Sequence, residues 1–185
     1  DLPALLGEAD SLSEAKVVAL FVHSLAQQNV LPQSMRVDMA YTGGEQPVYP
    51  DLGFMVDGQQ HWMEVKYFKS GTGASTAKGG TFLKDLFRLA GFKQDAPEPT
   101  CWLLHVYDGE PTRLFPDAER WQDWFLKNGK AEARFTFDLL NHTTQKILIG
   151  HRWQGEKRFR VQNMRLEPEG SPKRILVLTR LIQCS

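Results

Sequence analysis

One short stretch, YPDLGFMVDGQQHWMEVKYF (residues 49–68), places two acids and a lysine where their side chains can act together. Near its centre stands Asp57-Gly58, a favoured two-residue hairpin turn. With that turn Leu52 faces Met63 and Asp51 faces Glu64, on one side of the ladder, with Cβ atoms roughly 4.5–5.5 Å apart. A four-residue loop would instead set Asp51 against Lys66 and Gly53 against Glu64, and the shared face survives. Two carboxylates this close repel unless a cation neutralises them. A divalent ion does so, and Mg²⁺ takes one or two carboxylates together with waters and substrate phosphate oxygens.

The elements that must position these groups are legible around them. Alternation puts Leu52, Phe54, Val56, Met63, Val65 and Tyr67 on the opposite side of the hairpin, which predicts a core side and a side carrying Asp51, Glu64 and Lys66. Upstream, SLSEAKVVALFVHSLAQQN (residues 11–29) predicts a helix with the apolar stripe Val18, Phe21, Val22 and Leu25. Glu14 lies in line with that stripe. It has two readings: the acidic member of a capping box with Ser11, or a third carboxylate aimed at the hairpin.

Pro50-Asp51, twelve intervening residues, then Glu64-Val65-Lys66 resembles the PD-(D/E)xK nuclease superfamily, whose restriction-endonuclease-like fold carries Pro-Asp on one strand and Glu-x-Lys on the next. A helix bearing a Glu before the hairpin and a helix after it, TFLKDLFRLA, add to the similarity, which covers roughly residues 11–109. The resemblance implies a phosphodiester hydrolase in which Asp51, Glu64 and the backbone carbonyl of Val65 ligate Mg²⁺, with Mn²⁺ as a substitute. Lys66 would orient the attacking water and stabilise the transition state, and Glu14 would complete the metal shell or hold a second ion. The substrate it implies is nucleic acid, DNA first. The alternative reading is a noncatalytic nucleic-acid-binding or protein-assembly module on the same fold.

Other residues carry weaker signals. Lys84 and Arg88, a helical turn apart with Asp85 close by, read either as a solvated helix face or as phosphate contacts, and Lys78 reads the same way. KSGTGASTAKGG (residues 69–80) reads as a mobile loop, with Thr81 capping the helix that follows and Gly91 ending it. It is no P-loop, because Lys78 follows Ala77 and precedes Gly79. Trp62 shares the face of Glu64, where core packing and stacking on a base are both open. The five histidines show no ligand spacing, and none forms a convincing pair with a Ser or Cys nucleophile.

Farther along, CWLLHVYDG (residues 101–109) is apolar enough for a buried central strand, and PDAERWQDWFLKNG predicts a helix ending at Gly129. ARFTFDLL, QKILIGHRW, KRFRVQNMRL and KRILVLTRLIQC predict further strands. The expected fold is α/β: one domain over residues 1–185, with a restriction-endonuclease-like core at about 11–128, a central mixed sheet flanked by helices, and a β-rich C-terminal extension at about 130–185. Basic and acidic residues balance at 22 each, so no global positive field favours polyanions. From Lys146 onward, however, nine Lys or Arg stand against three Glu, a local bias suited to a phosphate backbone or to an outward-facing sheet surface. Near-neutral charge also leaves room for a homodimer or partner protein to supply part of a DNA surface. Two isolated cysteines, without metal-ligand or disulfide spacing, and the absence of a membrane-spanning run predict a cytoplasmic setting without membrane attachment.

Overall fold

Asp57 and Gly58 take φ of 49° and 76°, the left-handed pair that a two-residue type I′ turn requires. The strands they join, β2 (Leu52–Val56) and β3 (Gln59–Lys69), therefore pair Leu52 with Met63 and Val56 with Gln59, as the sequence register predicts. The structure, a computed structural model, describes residues 2–9, 11–29, 35–37, 50–69, 75–93, 98–109, 120, 122–148, 155–166 and 174–185. Within these residues a seven-stranded mixed sheet has the order β1 (Met35–Val37), β2, β3, β4 (Thr100–Asp108), β7 (Arg174–Cys184), β6 (Glu156–Leu166), β5 (Gly129–Thr136). Only β3 and β4 run parallel. A parallel pair needs a crossover, and α3 (Ser75–Phe92) supplies it.

Helices cover both faces. On one side α1 (Leu2–Glu8) and α2 (Glu14–Gln27) bury Leu6, Val17 and Val18 against Leu52, Phe54, Met63, Val65 and Leu104. On the other, α3 places Phe82, Leu86 and Leu89 against Trp62, Phe68, Leu103 and Tyr107, and the same cluster runs on through Phe135, Phe159 and Val177 of the C-terminal strands. The C-terminal part thus continues the sheet and shares one apolar cluster with α3. Strand β4, apolar on both faces, sits at the middle of the sheet.

A buried polar chain crosses the α3 side. The His105 ring contacts Tyr107 Oη at 2.7 Å and Thr179 Oγ1 at 2.8 Å, and Thr179 donates to Asn163, whose amide donates to the Trp124 carbonyl. Complete burial drives the His105 pKa down to about 3, so the ring is neutral.

Several sequence expectations are corrected. The side of the hairpin that carries Glu64 is covered by α3, and of the two readings of Trp62 the core one holds, its ring packed 5.8 Å from that of Phe92. Of the glycine-rich stretch, residues 75–80 form the start of α3 rather than a loop, and residues 70–74 lie outside the described residues. Thr81 is consequently interior to the helix, its hydroxyl donating to the Lys78 carbonyl. Gly80 is tolerated there because α4 (His142–Leu148) packs close: a Cβ on Gly80 would stand 2.7 Å from Ile147 Cδ1 and 3.3 Å from Thr144 Cα. Tertiary contact overrides the weak helix propensity of glycine.

The strand expected over QKILIGHRW is helical where it is described, in α4, which Asn141 starts by accepting from the Thr144 amide at 3.0 Å. Of the helix expected over residues 116–129, the described part is Arg120 and a π turn at Gln122–Leu126, and β5 follows directly at Gly129. No helix among the described residues is long and apolar enough to cross a membrane.

Candidate active site

Strand β2 is short and β3 is long, so the second half of β3 runs past the start of β2. Among the described residues no strand pairs with that edge, and acidic side chains occupy it instead. Asp51, just ahead of β2, accepts from the Val65 amide through Oδ2 at 2.6 Å. Glu14, the first residue of α2, approaches the Tyr67 amide through Oε1 at 3.4 Å. The helix cap is Ser13, which accepts from the Lys16 amide, and so the capping box expected between Ser11 and Glu14 is not formed. Released from that role, Glu14 also lies 3.4 Å from Lys66 Nζ.

On the α3 side of β3, Glu64 and Lys66 meet two residues of that helix. Lys66 Nζ stands 3.1 Å from Asp85 Oδ2, and the Arg88 guanidinium reaches Glu64 at 3.3 Å and Asp85 at 3.4 Å. The result is a chain of alternating charge, Glu14–Lys66–Asp85–Arg88–Glu64, with Asp51 close enough to act on Glu64, Lys66 and Asp85.

Glu64 is 1% exposed. Burial raises its pKa to about 10, helped by the charges of Asp85 and Asp51 and only partly opposed by Arg88 and Lys66. The two Arg88 contacts favour the ionised form, but they are long, and Glu64 Oε1 has no aligned hydrogen bond. Burial among like charges therefore prevails, and without a further cation Glu64 holds its proton. Asp85 is raised for the same first reason, burial, with Lys66 and Arg88 offsetting part of it. Burial pulls the Lys66 pKa down, yet Asp85 and Glu14 outweigh it, and the ammonium is retained.

Asp51, Glu64, Lys66 and Glu14 are thus brought together, and Arg88 joins them. Lys84 is exposed on α3, and Lys78 Nζ donates to the Lys69 carbonyl. Neither belongs to the ion-pair chain. Asp85 is the residue that sequence reasoning missed as a site group. Its signal was present: it stands on the apolar stripe of Phe82, Leu86 and Leu89, the kind of misplaced charge that singled out Glu14.

For a metal, the available donors are all oxygen. Asp51 and Glu64 offer carboxylates, Glu64 Oε1 is buried without a hydrogen bond, and the Val65 carbonyl points to the same strand edge as its amide. Among the described residues no group of three or more His, Cys, Asp or Glu side chains is placed so that it could hold a metal ion. Two carboxylates and a carbonyl nevertheless match what Mg²⁺ takes from a protein, the rest of its shell being water and phosphate. Comparison of the chain with protein-family models, with curated proteins and with solved structures gives no match.

Proposed function

We propose that this chain is a Mg²⁺-dependent nuclease of the PD-(D/E)xK type, with a restriction-endonuclease-like core, that hydrolyses phosphodiester bonds in DNA. One observation carries the reading: Glu64 is buried beside Asp85 and Asp51, and Arg88 and Lys66 offset only part of the cost of its charge, so that a bound cation would stabilise it further. Asp51, Glu64 and the Val65 carbonyl would hold the ion, which supplies charge neutralisation at the phosphate and lowers the pKa of a bound water.

The chain's own residues do the rest. Asp51, hydrogen-bonded to the Val65 amide, is held in one orientation at the strand edge. Lys66, flanked by Glu14 and Asp85, presents a fixed ammonium where negative charge builds up on the phosphoryl oxygens and orients the attacking water. Arg88, on leaving Glu64, becomes available to a phosphate oxygen.

The test is cleavage of supercoiled plasmid, single-stranded DNA and RNA with Mg²⁺, Mn²⁺ or EDTA, comparing the native chain with Asp51→Ala and Lys66→Ala. Metal-dependent nicking that falls at least about 100-fold in both variants is the expected result. An inert native chain that also fails to bind Mn²⁺ would overturn it.

A second reading has its own observation. Asp51 and Glu14 bond β3 amides that no described strand pairs, so the cluster also serves to tie α2 and α3 to the sheet edge. In a noncatalytic binding or assembly module of this fold the acids would serve only that purpose. Asp51→Ala and Lys66→Ala would then alter stability while leaving nucleic-acid binding unchanged.

A further inference from the structure

We infer that Asp85 is a positioning residue that sets the Lys66 ammonium in its working place, an inference that rests on the nuclease reading and extends its site from the hairpin to α3. Lys66 has a long, rotatable stem, and nothing on β3 itself fixes where its Nζ lies. Its contact from α2, Glu14, has a side chain 48% exposed and shares Oε1 with the Tyr67 amide, so it is a yielding partner. Asp85, in contrast, has a side chain 4% exposed and is held by its helix between Phe82, Leu86 and Leu89; its Oδ2 stands 3.1 Å from Lys66 Nζ.

Among the described residues Asp85 Oδ2 is buried with no aligned hydrogen bond, so the Lys66 ammonium is its neighbour in charge; its second oxygen meets Arg88 Nη1 at 3.4 Å. A buried carboxylate on a helix interior is expensive to retain for stability alone, since apolar replacements of buried ion pairs are commonly neutral or better. Its geometry serves Lys66 on one side and the counter-ion of Glu64 on the other. Its charge acts on Glu64 from a distance, but its closest contact with a proposed catalytic group is the 3.1 Å approach to Lys66, and it is through Lys66 that it acts.

The experiment compares the native chain, Asp85→Asn, Lys66→Ala and the double variant in single-turnover cleavage, with Mn²⁺ affinity measured on each and folding checked by thermal unfolding. Asparagine keeps the shape and removes the charge that attracts the ammonium. The expected result is a fall in the chemical rate of about 100-fold, the scale of a misplaced catalytic group. KM and Mn²⁺ affinity stay at the native level, and Asp85→Asn adds nothing further once Lys66 is alanine.

A loss that multiplies with that of Lys66→Ala, or a loss of Mn²⁺ affinity, overturns the inference and assigns Asp85 to scaffolding or to the metal. The Lys66 ammonium ¹⁵N resonance gives a readout independent of cleavage. In the native chain it is expected to be ordered, and in Asp85→Asn mobile. An unchanged resonance overturns the positioning whatever the activity, whereas a native chain that is inert on every substrate and also fails to bind Mn²⁺ overturns the nuclease reading itself.

Discussion

Replacing Glu64 by glutamine separates two electrostatic descriptions of the same buried group. If Glu64 were an ionised partner of Arg88, removing its charge would take one of two carboxylate partners from a largely enclosed guanidinium and leave it Asp85, at a cost of up to about 3–5 kcal/mol. With its pKa raised to about 10 by burial and by the nearby Asp85 and Asp51, it is already a neutral acid at pH 7, and glutamine replaces it with a neutral group of nearly the same shape. Glu64→Gln should then cost less than about 1 kcal/mol in EDTA at pH 7.

The pH dependence provides a second arm. The folded pKa lies above the ordinary 4.5, so the folded chain keeps a proton that the unfolded chain has released. The associated stability is complete below pH 4.5 and is lost as pH rises toward 10, at up to about 1.4 kcal/mol per pH unit. Between pH 7 and 9 the native chain should lose up to about 3 kcal/mol relative to Glu64→Gln, roughly 5–10 °C in Tm for a chain of 185 residues. Chemical and thermal unfolding in EDTA measure both arms. A loss above about 3 kcal/mol at pH 7, or parallel pH profiles for the two proteins, would refute the neutral-acid reasoning. If Glu64 holds a metal ion, added Mg²⁺ or Mn²⁺ should raise the Tm of the native chain and leave Glu64→Gln unmoved, because glutamine cannot lose a proton to become a carboxylate donor.

Three more outcomes follow from the same structure. His105, with its pKa lowered to about 3, binds a proton in the unfolded but not the folded chain between there and 6.5, so its share of stability is present above pH 6.5 and lost as pH falls; its ring resonances should not titrate between pH 8 and 5 in the folded chain. Gly58→Ala puts a Cβ at φ 76° and should destabilise the hairpin by about 1 kcal/mol, read by urea unfolding, with the cluster around Glu64 unaltered. Gly80→Val should cost about 1–3 kcal/mol, because its side chain would collide with Ile147 and press on the Thr144 backbone; a neutral result would mean that α3 and α4 can move apart at no cost.

The hairpin was readable from the chain because its information is local. Asp57-Gly58 specifies the turn, the turn specifies the register, and a side-chain period of two then puts Asp51, Glu64 and Lys66 on one side whatever the rest of the fold does. The apolar run of β4 likewise announced a strand buried on both faces. Glu14 was visible as an acid on an apolar stripe, although the cap that frees it, Ser13 rather than Ser11, depends on where the chain enters the helix.

What tertiary structure decided lies where the deciding contacts come from far along the sequence. Residues 75–80 are rich in small residues and read as a loop, but packing of α4 against Gly80 makes them helix. The stretch QKILIGHRW reads as a strand, but its described residues, 145–148, lie in α4, which the Asn141 cap starts. Arg88 is ambiguous as sequence, equally suited to water, and Asp85, although it stands on an apolar stripe, does not by itself name a partner. Only the crossover of α3 onto β3 buries that face, sets Asp85 against Lys66 and Arg88 against Glu64, and raises the Glu64 pKa, because desolvation is a property of everything packed around a group and not of its neighbours in the chain.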